Sequence, residues 1–273
     1  MIFNKNNFSI SSPSIMGICN VTKNSFSDGG KNYKTTNALK SIKQMLKDGA
    51  QIIDIGAESA RPGSDPISYQ EEIKKLTPIL KQLPKDQFFI SIDSSKIETQ
   101  EFALQAGAHI INDIFGGSND LFYLTKKFRS GLALMHTPAV PKIMQTKTNS
   151  YKNVVKDIQN YFRSQIRKLD RYSISHKKVW LDPGIGFGKN FDQNLLIIQN
   201  IKKFRLKNCG LLLGSSRKSW INKINKSNAD QRIGGSLASA LYNVSQGVDI
   251  LRVHDVFETR QAVEVYKRIA CLQ

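Results

Sequence analysis

The chain has 273 residues, 40% of them hydrophobic, and 40 Lys and Arg against 22 Asp and Glu give it a formal net charge of +18. That is enough apolar material for one large core, and a mean hydropathy of −0.34 suits a soluble protein. No apolar run approaches the roughly 18 residues needed to cross a bilayer, so no membrane segment is expected. The opening residues lack an apolar stretch with a small-residue cleavage site, so no signal peptide is expected and the expected location is the cytoplasm. Cys19, Cys209 and Cys271 are odd in number and far apart, which suits neither a disulfide framework nor a metal pair. Basic residues such as Lys40, Lys74, Lys75, Lys202 and Lys203 are scattered along the chain. The charge therefore reads as solvated helix faces rather than a nucleic-acid or membrane surface, although a positive field would attract an anionic substrate.

Short apolar runs alternate with amphipathic stretches along the whole chain. A strand is expected at Ile15–Cys19, then a helix in which Leu39, Ile42, Met45 and Leu46 recur at helical spacing until Gly49 stops it. After a second strand at Ile52–Gly56, Ser68-Tyr69-Gln70-Glu71 has the form of a capping box ahead of Ile73 and Leu76, with Pro78 expected to end or bend that helix. Strands are next expected at Phe88–Asp93, His109–Ile114 and Leu132–His136, followed by a longer helix marked by Val154, Val155, Ile158, Phe162, Ile166 and Leu169. The last strands are expected at Val179–Asp182, Leu211–Gly214 and Asp249–His254. Eight strands with helices between them predict an α/β fold, a (β/α)8 TIM barrel forming a single domain over residues 1–273, with an open doubly wound sheet as the alternative.

Strands buried on both faces read as unbroken apolar runs. Here nearly every run ends in or is interrupted by a polar side chain: Asn20, Asp54, Asp93, Asn112, His136, Asp182 and Ser215. In the eighth strand, alternation puts Ile250, Arg252 and His254 on one face. Because the C-terminal strand ends of barrel enzymes converge on the active site, the joint pattern reads as a site rather than as separate turn or cap residues.

The loops add detail. Ser25-Phe26-Ser27-Asp28-Gly29-Gly30 and Ser59-Ala60-Arg61-Pro62-Gly63-Ser64 follow the first two strands and are long enough to act as lids. Asp182-Pro183-Gly184-Ile185-Gly186-Phe187-Gly188-Lys189 has neither dinucleotide-fingerprint nor P-loop spacing, and its glycines are expected to bring backbone close to a flat ligand. Ser216-Arg217-Lys218-Ser219 is expected to open a helix whose N–H groups, with Arg217 and Lys218, form an anion site beside Arg252 and His254. The expected ligand there is a phosphate or pyrophosphate.

These motifs resemble those of the dihydropteroate synthase family. Met16-Gly17-Ile18-Cys19-Asn20-Val21-Thr22 with Ser25–Gly30, and Glu58-Ser59-Ala60-Arg61-Pro62-Gly63, resemble its two signature loops. Ser91-Ile92-Asp93, Ile111-Asn112-Asp113, Leu134-Met135-His136, the Asp182–Lys189 run, Ser216–Ser219 and Arg252–Asp255 follow in order. The resemblance implies condensation of 6-hydroxymethyl-7,8-dihydropterin pyrophosphate with 4-aminobenzoate to give 7,8-dihydropteroate and pyrophosphate. It implies that Asp93, Asn112, Asp182 and Lys218 hold the pterin, with Asp54 nearby, and that Asn20, Arg252 and His254 meet the pyrophosphate, Asn20 beside a Mg²⁺. It further implies an aminobenzoate site of Phe26, Arg61, Pro62, Phe187, Lys218 and Ser219, and a homodimer through outer helices near the C-terminus.

The chain departs from the family pattern at Ala60, where the family usually has Thr or Ser, and at Lys23-Asn24, where it usually has Pro-Asp. The first loses a hydroxyl contact and puts sulfonamide response in question; the second is expected to loosen the first loop. The rival readings are a pterin-binding module of methyltransferase type, which needs no pyrophosphate grip, and a nucleic-acid-binding protein.

Overall fold

The computed structural model describes residues 4–5, 8–10, 12–21, 31–59, 63–140 and 142–270. Eight parallel strands close into a barrel: β1 (Ser14–Asn20), β2 (Ile52–Gly56), β3 (Phe89–Asp93), β4 (Ile110–Asp113), β5 (Gly131–Met135), β6 (Val179–Asp182), β7 (Gly210–Leu213) and β8 (Ile250–Val253). Each strand pairs with its sequence neighbours, and β8 closes on β1 with Arg252 opposite Met16. The expected barrel is the observed fold, with every expected strand end within a residue of the observed one. An antiparallel ribbon, Asn4–Lys5 with Phe8–Ser9, precedes it. Strands that short carry no readable periodicity, and the sequence gives no sign of them.

The outer layer comprises α1 (Lys31–Lys47), α2 (Tyr69–Leu80), α3 (Ile97–Gln105), α4 (Asn119–Phe128), α5 (Val154–Arg171), α6 (Phe191–Gln199), α7 (Ser219–Ile224), α8 (Ile233–Ser245) and α9 (Val256–Ala270). Ser68 caps α2 by accepting the N–H of Glu71 at 3.2 Å. Pro78 does not end that helix, which runs on to Leu80. Leu76, Ile79 and Leu80 are all buried there, and this burial holds the last turn in place although Pro78 lacks an N–H. In α5 the expected stripe of Val154, Ile158, Phe162, Ile166 and Leu169 is buried. The Gly17 backbone admits α1 and α9 close against β1, since a Cβ there would lie 2.7 Å from Met45 Sδ and 3.2 Å from Val256 Cγ2.

Because successive strand residues face opposite ways, the sequence divides into two apolar clusters. One set of alternate residues, including Ile53, Ile55, Ile90, Ile92, Leu132, Leu134, Leu211 and Leu213, packs outward against the helices. The other set, Met16, Ile52, Phe89, Ile110, Ala133, Trp180, Leu212 and Ile250, fills the barrel interior, with Ile10 added from the N-terminal segment. The buried thiols of Cys19 and Cys209 are both pushed up to about 12 by burial, which makes them inert packing groups. Trp180 is 1% exposed and is among the largest side chains of the plug. Trp180→Ala should cost about 3–5 kcal/mol of stability, read as a lower urea midpoint.

Candidate active site

The polar layer follows from the same alternation. On each strand the residue two places beyond an interior apolar residue also points into the barrel, nearer its C-terminal mouth. Ile52 is followed by Asp54, Phe89 by Ser91 and Asp93, Ile110 by Asn112, Trp180 by Asp182, Leu212 by Gly214, and Ile250 by Arg252. The apolar plug therefore carries a layer of charge. Asp93, Asn112, Asp182, Phe187, Lys218 and Arg252 line one pocket together with Ile114, Met135, Gly184, Ile185 and Gly214.

Asp54 is fully buried beneath this pocket. It accepts from Ser91 Oγ at 2.6 Å, Asn112 Nδ2 at 3.0 Å and Arg252 Nε at 2.6 Å. Arg252 also donates from an Nη to Asp93 at 2.6 Å, so one guanidinium bridges two carboxylates. Asp182 accepts the N–H of Gly184 at 2.8 Å. Lys218 Nζ lies 4.3 Å from the centre of the Phe187 ring. Burial raises Asp93 to about 7 against the pull of Arg252, and burial also raises Asp182. Lys218 is lowered to about 8 by burial and by Arg252. Burial opposes the charge on Arg252 too, but Asp54 and Asp93 outweigh it and hold the guanidinium above its ordinary range.

The rim differs from expectation. His254 lies one residue past β8 and is exposed, with Nδ1 3.1 Å from Ser216 Oγ. Desolvation, together with Arg252 and Arg217, holds its imidazole down at about 4, so at neutral pH it is uncharged. Arg217 is not a free anion donor. Its guanidinium forks onto Asp255, with Nε to Oδ2 at 3.0 Å, and its backbone N–H donates to Ser236 Oγ at 2.9 Å. Backbone φ at Arg217 is +56°, so the turn aims its side chain at Asp255. The helix opens at Ser219, which is exposed, with Lys218 as its N-cap. Of the Arg252 donors expected to grip an anion, Nε and one Nη are engaged on Asp54 and Asp93.

His136 and Ser215 are polar strand-end residues that do not join the pocket, because each follows an inward residue by one. His136 packs its ring on Tyr161, centroids 4.9 Å apart, and Ser215 accepts from Ser239 Oγ at 3.0 Å. Phe26, Arg61, Pro62, Ala60 and Lys23-Asn24 lie outside the described residues. Asn20 ends β1 beside the pocket: a Cβ on Gly56 would meet Asp93 Oδ2 at 3.6 Å and Asn20 Oδ1 at 3.7 Å. The root of the second loop is described. The Glu58 carboxylate accepts Ile67 N at 2.7 Å and Lys96 Nζ at 2.6 Å, and Lys96 reaches buried Glu72 at 3.4 Å. Ser91, Glu58 and Asp255 support the site although they carry no assigned role within their sequence motifs, and Lys96 lies in no motif. Ser91 was readable from its parity with Asp93, whereas the partners of Glu58, Lys96 and Asp255 lie far along the chain.

Residues 16–254 match the family of pterin binding enzymes. The chain is 40% identical over 259 residues to the dihydropteroate synthase of Escherichia coli strain K12, covering 94% of this chain and 91% of that protein. The chain belongs to the dihydropteroate synthase family. Solved structures agree. The Yersinia pestis dihydropteroate synthase in a sulfonamide drug complex superposes with a TM-score of 0.91 at 35% identity, covering 99% of this chain and all of that one (100%). The Burkholderia cenocepacia dihydropteroate synthase complexed with 7,8-dihydropteroate does so with a TM-score of 0.87 at 30% identity, covering 98% and 95%.

Arg252→Met should leave Asp54 and Asp93 buried without their cation, at a cost of about 3–5 kcal/mol at neutral pH. The loss should grow with pH, because Asp93, already raised by burial, loses the guanidinium that opposes the rise, and rising pH then forces unpaired charge into the barrel. Urea unfolding at pH 5.5 and pH 8 reads both effects.

Proposed function

We propose that this chain condenses 6-hydroxymethyl-7,8-dihydropterin pyrophosphate with 4-aminobenzoate, giving 7,8-dihydropteroate and pyrophosphate for folate synthesis. The observation that carries this reading is the inner polar layer: buried carboxylates, an amide and an ammonium facing one another above an apolar floor. A flat ring edged with alternating donors and acceptors suits that layer. Asp182 and Asp93 accept from ring N–H groups, Asn112 offers both amide atoms, and Lys218 donates to a carbonyl or ring nitrogen. Asp54 holds Asn112 and Arg252 in place from below.

The reaction breaks the C–O bond between the pterin methylene and pyrophosphate, the bonding pair leaving with pyrophosphate. The cation left on the pterin is stabilised by the negative field of Asp93. The amine nitrogen of 4-aminobenzoate then bonds to the methylene carbon and gives up its proton. No covalent enzyme nucleophile is required. The free Nη of Arg252 and the imidazole of His254 face the leaving group, His254 donating as a neutral ring. Phe26, Arg61 and Pro62 of the two loops, with Phe187, Lys218 and Ser219, receive the aminobenzoate and exclude water from the cation.

Asn20 suits a Mg²⁺ partner. Among the described residues no group of three or more His, Cys, Asp or Glu gathers as a metal cage. A lone amide oxygen near one carboxylate is the sparse donor set that hard Mg²⁺ tolerates, since it keeps waters and takes substrate phosphate oxygens. When bound there, Mg²⁺ supplies charge neutralisation for the pyrophosphate. Exposed apolar side chains on adjacent α8 and α9 (Tyr242, Phe257, Val265 and Ile269) support a homodimer through that face. No helix among the described residues is long and apolar enough to cross a membrane, which supports a cytoplasmic location.

Turnover with both substrates and Mg²⁺ tests the proposal; no dihydropteroate formed would refute it. The pH profile of kcat/KM for the pterin substrate should be bell-shaped. It should rise through about 7 as Asp93 ionises and fall above about 8 as Lys218 loses its proton. Lys218→Met should lose the alkaline limb and roughly a hundredfold or more in kcat/KM.

A further inference from the structure

Lys189 is a buried lysine for which the mechanism above has no use; burial lowers its ammonium to about 7 against the pull of Asp182. It is 3% exposed at the end of the glycine-rich turn after β6, and among the described residues no carboxylate lies within ion-pair distance of it. Its ammonium donates to the carbonyl of Phe187 at 2.8 Å and to that of His136, just past β5, at 3.2 Å. Dehydrating an ammonium is expensive, and neutral carbonyls compensate it only in part.

The charge it faces stands on the other side of Gly184. That residue gives its N–H to Asp182 Oδ1, and a Cβ added to it would lie 3.3 Å from Lys189 Nζ and 2.2 Å from the His136 carbonyl oxygen. Backbone φ is +71° at Gly184, so the turn wraps a single glycine between the carboxylate and the ammonium. Lys218 on the N-cap of α7 and Arg252 on β8 also face Asp182, from the pocket side, and are the cations a ligand meets. Lys189, which does not line the pocket, approaches Asp182 from the Gly184 side. The turn it pins also carries Phe187, the ring under Lys218.

We propose that Lys189 is a positioning residue for the pterin ring, a buried cation that pins the β6–α6 turn to β5 and supplies from behind Gly184 the counter-charge that keeps Asp182 an accepting carboxylate. The proposal rests on the pterin-binding reading of the pocket. Because the carboxylate offers two acceptor oxygens to ring N–H groups and protonation turns one into a donor, pterin affinity falls as pH drops through its titration. Removing Lys189 moves that fall to higher pH.

The test is calorimetric titration of 6-hydroxymethylpterin into the full chain from pH 5 to 9, for the wild type, Lys189→Met and Lys189→Gln. Glutamine retains N–H donors for the two carbonyls but carries no charge. Both variants should bind pterin about tenfold more weakly at neutral pH, with the acid limb displaced upward, and should recover most of the loss at pH 9. Binding of pyrophosphate alone should be unchanged. Wild-type affinity and an unshifted limb in Lys189→Gln would overturn the counter-charge role even if Lys189→Met does not fold, and so would a loss equal at every pH. A wild-type chain that binds no pterin would instead sink the functional reading itself.

Discussion

The bridge of Arg252 between Asp54 and Asp93 is the interaction on which the rest of the mouth depends. Two carboxylates and a guanidinium, dehydrated together, are tolerable only because each satisfies the others. Around them stand Asp182 and Lys218, with Lys189 behind the Gly184 turn, so three acidic side chains are set against three basic ones. A balanced layer can exchange its water for a neutral ring without changing its net charge. Dehydration of the layer outweighs this pairing at two of its members, moving Asp93 up and Lys218 down so that both titrate near neutrality.

Much of this was legible in the sequence, and the reason is parity. A closed barrel has an inside and an outside, and a strand must alternate between them. Once Ile250, Arg252 and His254 fall on one face and Ile52 stands two places before Asp54, the apolar plug and the polar layer above it are fixed together. The same rule removes His136 and Ser215, each one step past an inward residue, whose side chains meet Tyr161 and Ser239 instead of the pocket. Polarity at a strand end is therefore informative only with its register.

What the sequence hid is pairing across distance. The dense cations of Ser216–Ser219 suggested an anion site that included Arg217, but its guanidinium is spoken for by Asp255, 38 positions on. Counting charge locally cannot show which cation is already neutralised. Lys189 is the converse case. At the end of a glycine-rich run nothing local marks it as buried, yet the positive-φ turn at Gly184, Gly186 and Gly188 folds it into the interior. Pro78 shows the same limit on local rules, since burial of Ile79 and Leu80 carries α2 past it.

The two substrate halves of the site are built differently, and this bears on where the chain departs from its family. On the proposed reading the pterin half is made of Asp93, Asn112 and Asp182, whose positions follow from the barrel strands, with Lys218 added from the N-cap of α7. The aminobenzoate half draws on loops, and one of these is rooted by Glu58 gripping both Ile67 N and Lys96. Ala60 and Lys23-Asn24 both fall in those loops. Lys218, over the Phe187 ring, is common to both halves, whereas Ala60 and Lys23-Asn24 belong to the loops alone. Substitutions in the loops can therefore retune affinity for the second substrate, or for a sulfonamide competing with it, while the charged layer around Arg252 keeps its geometry.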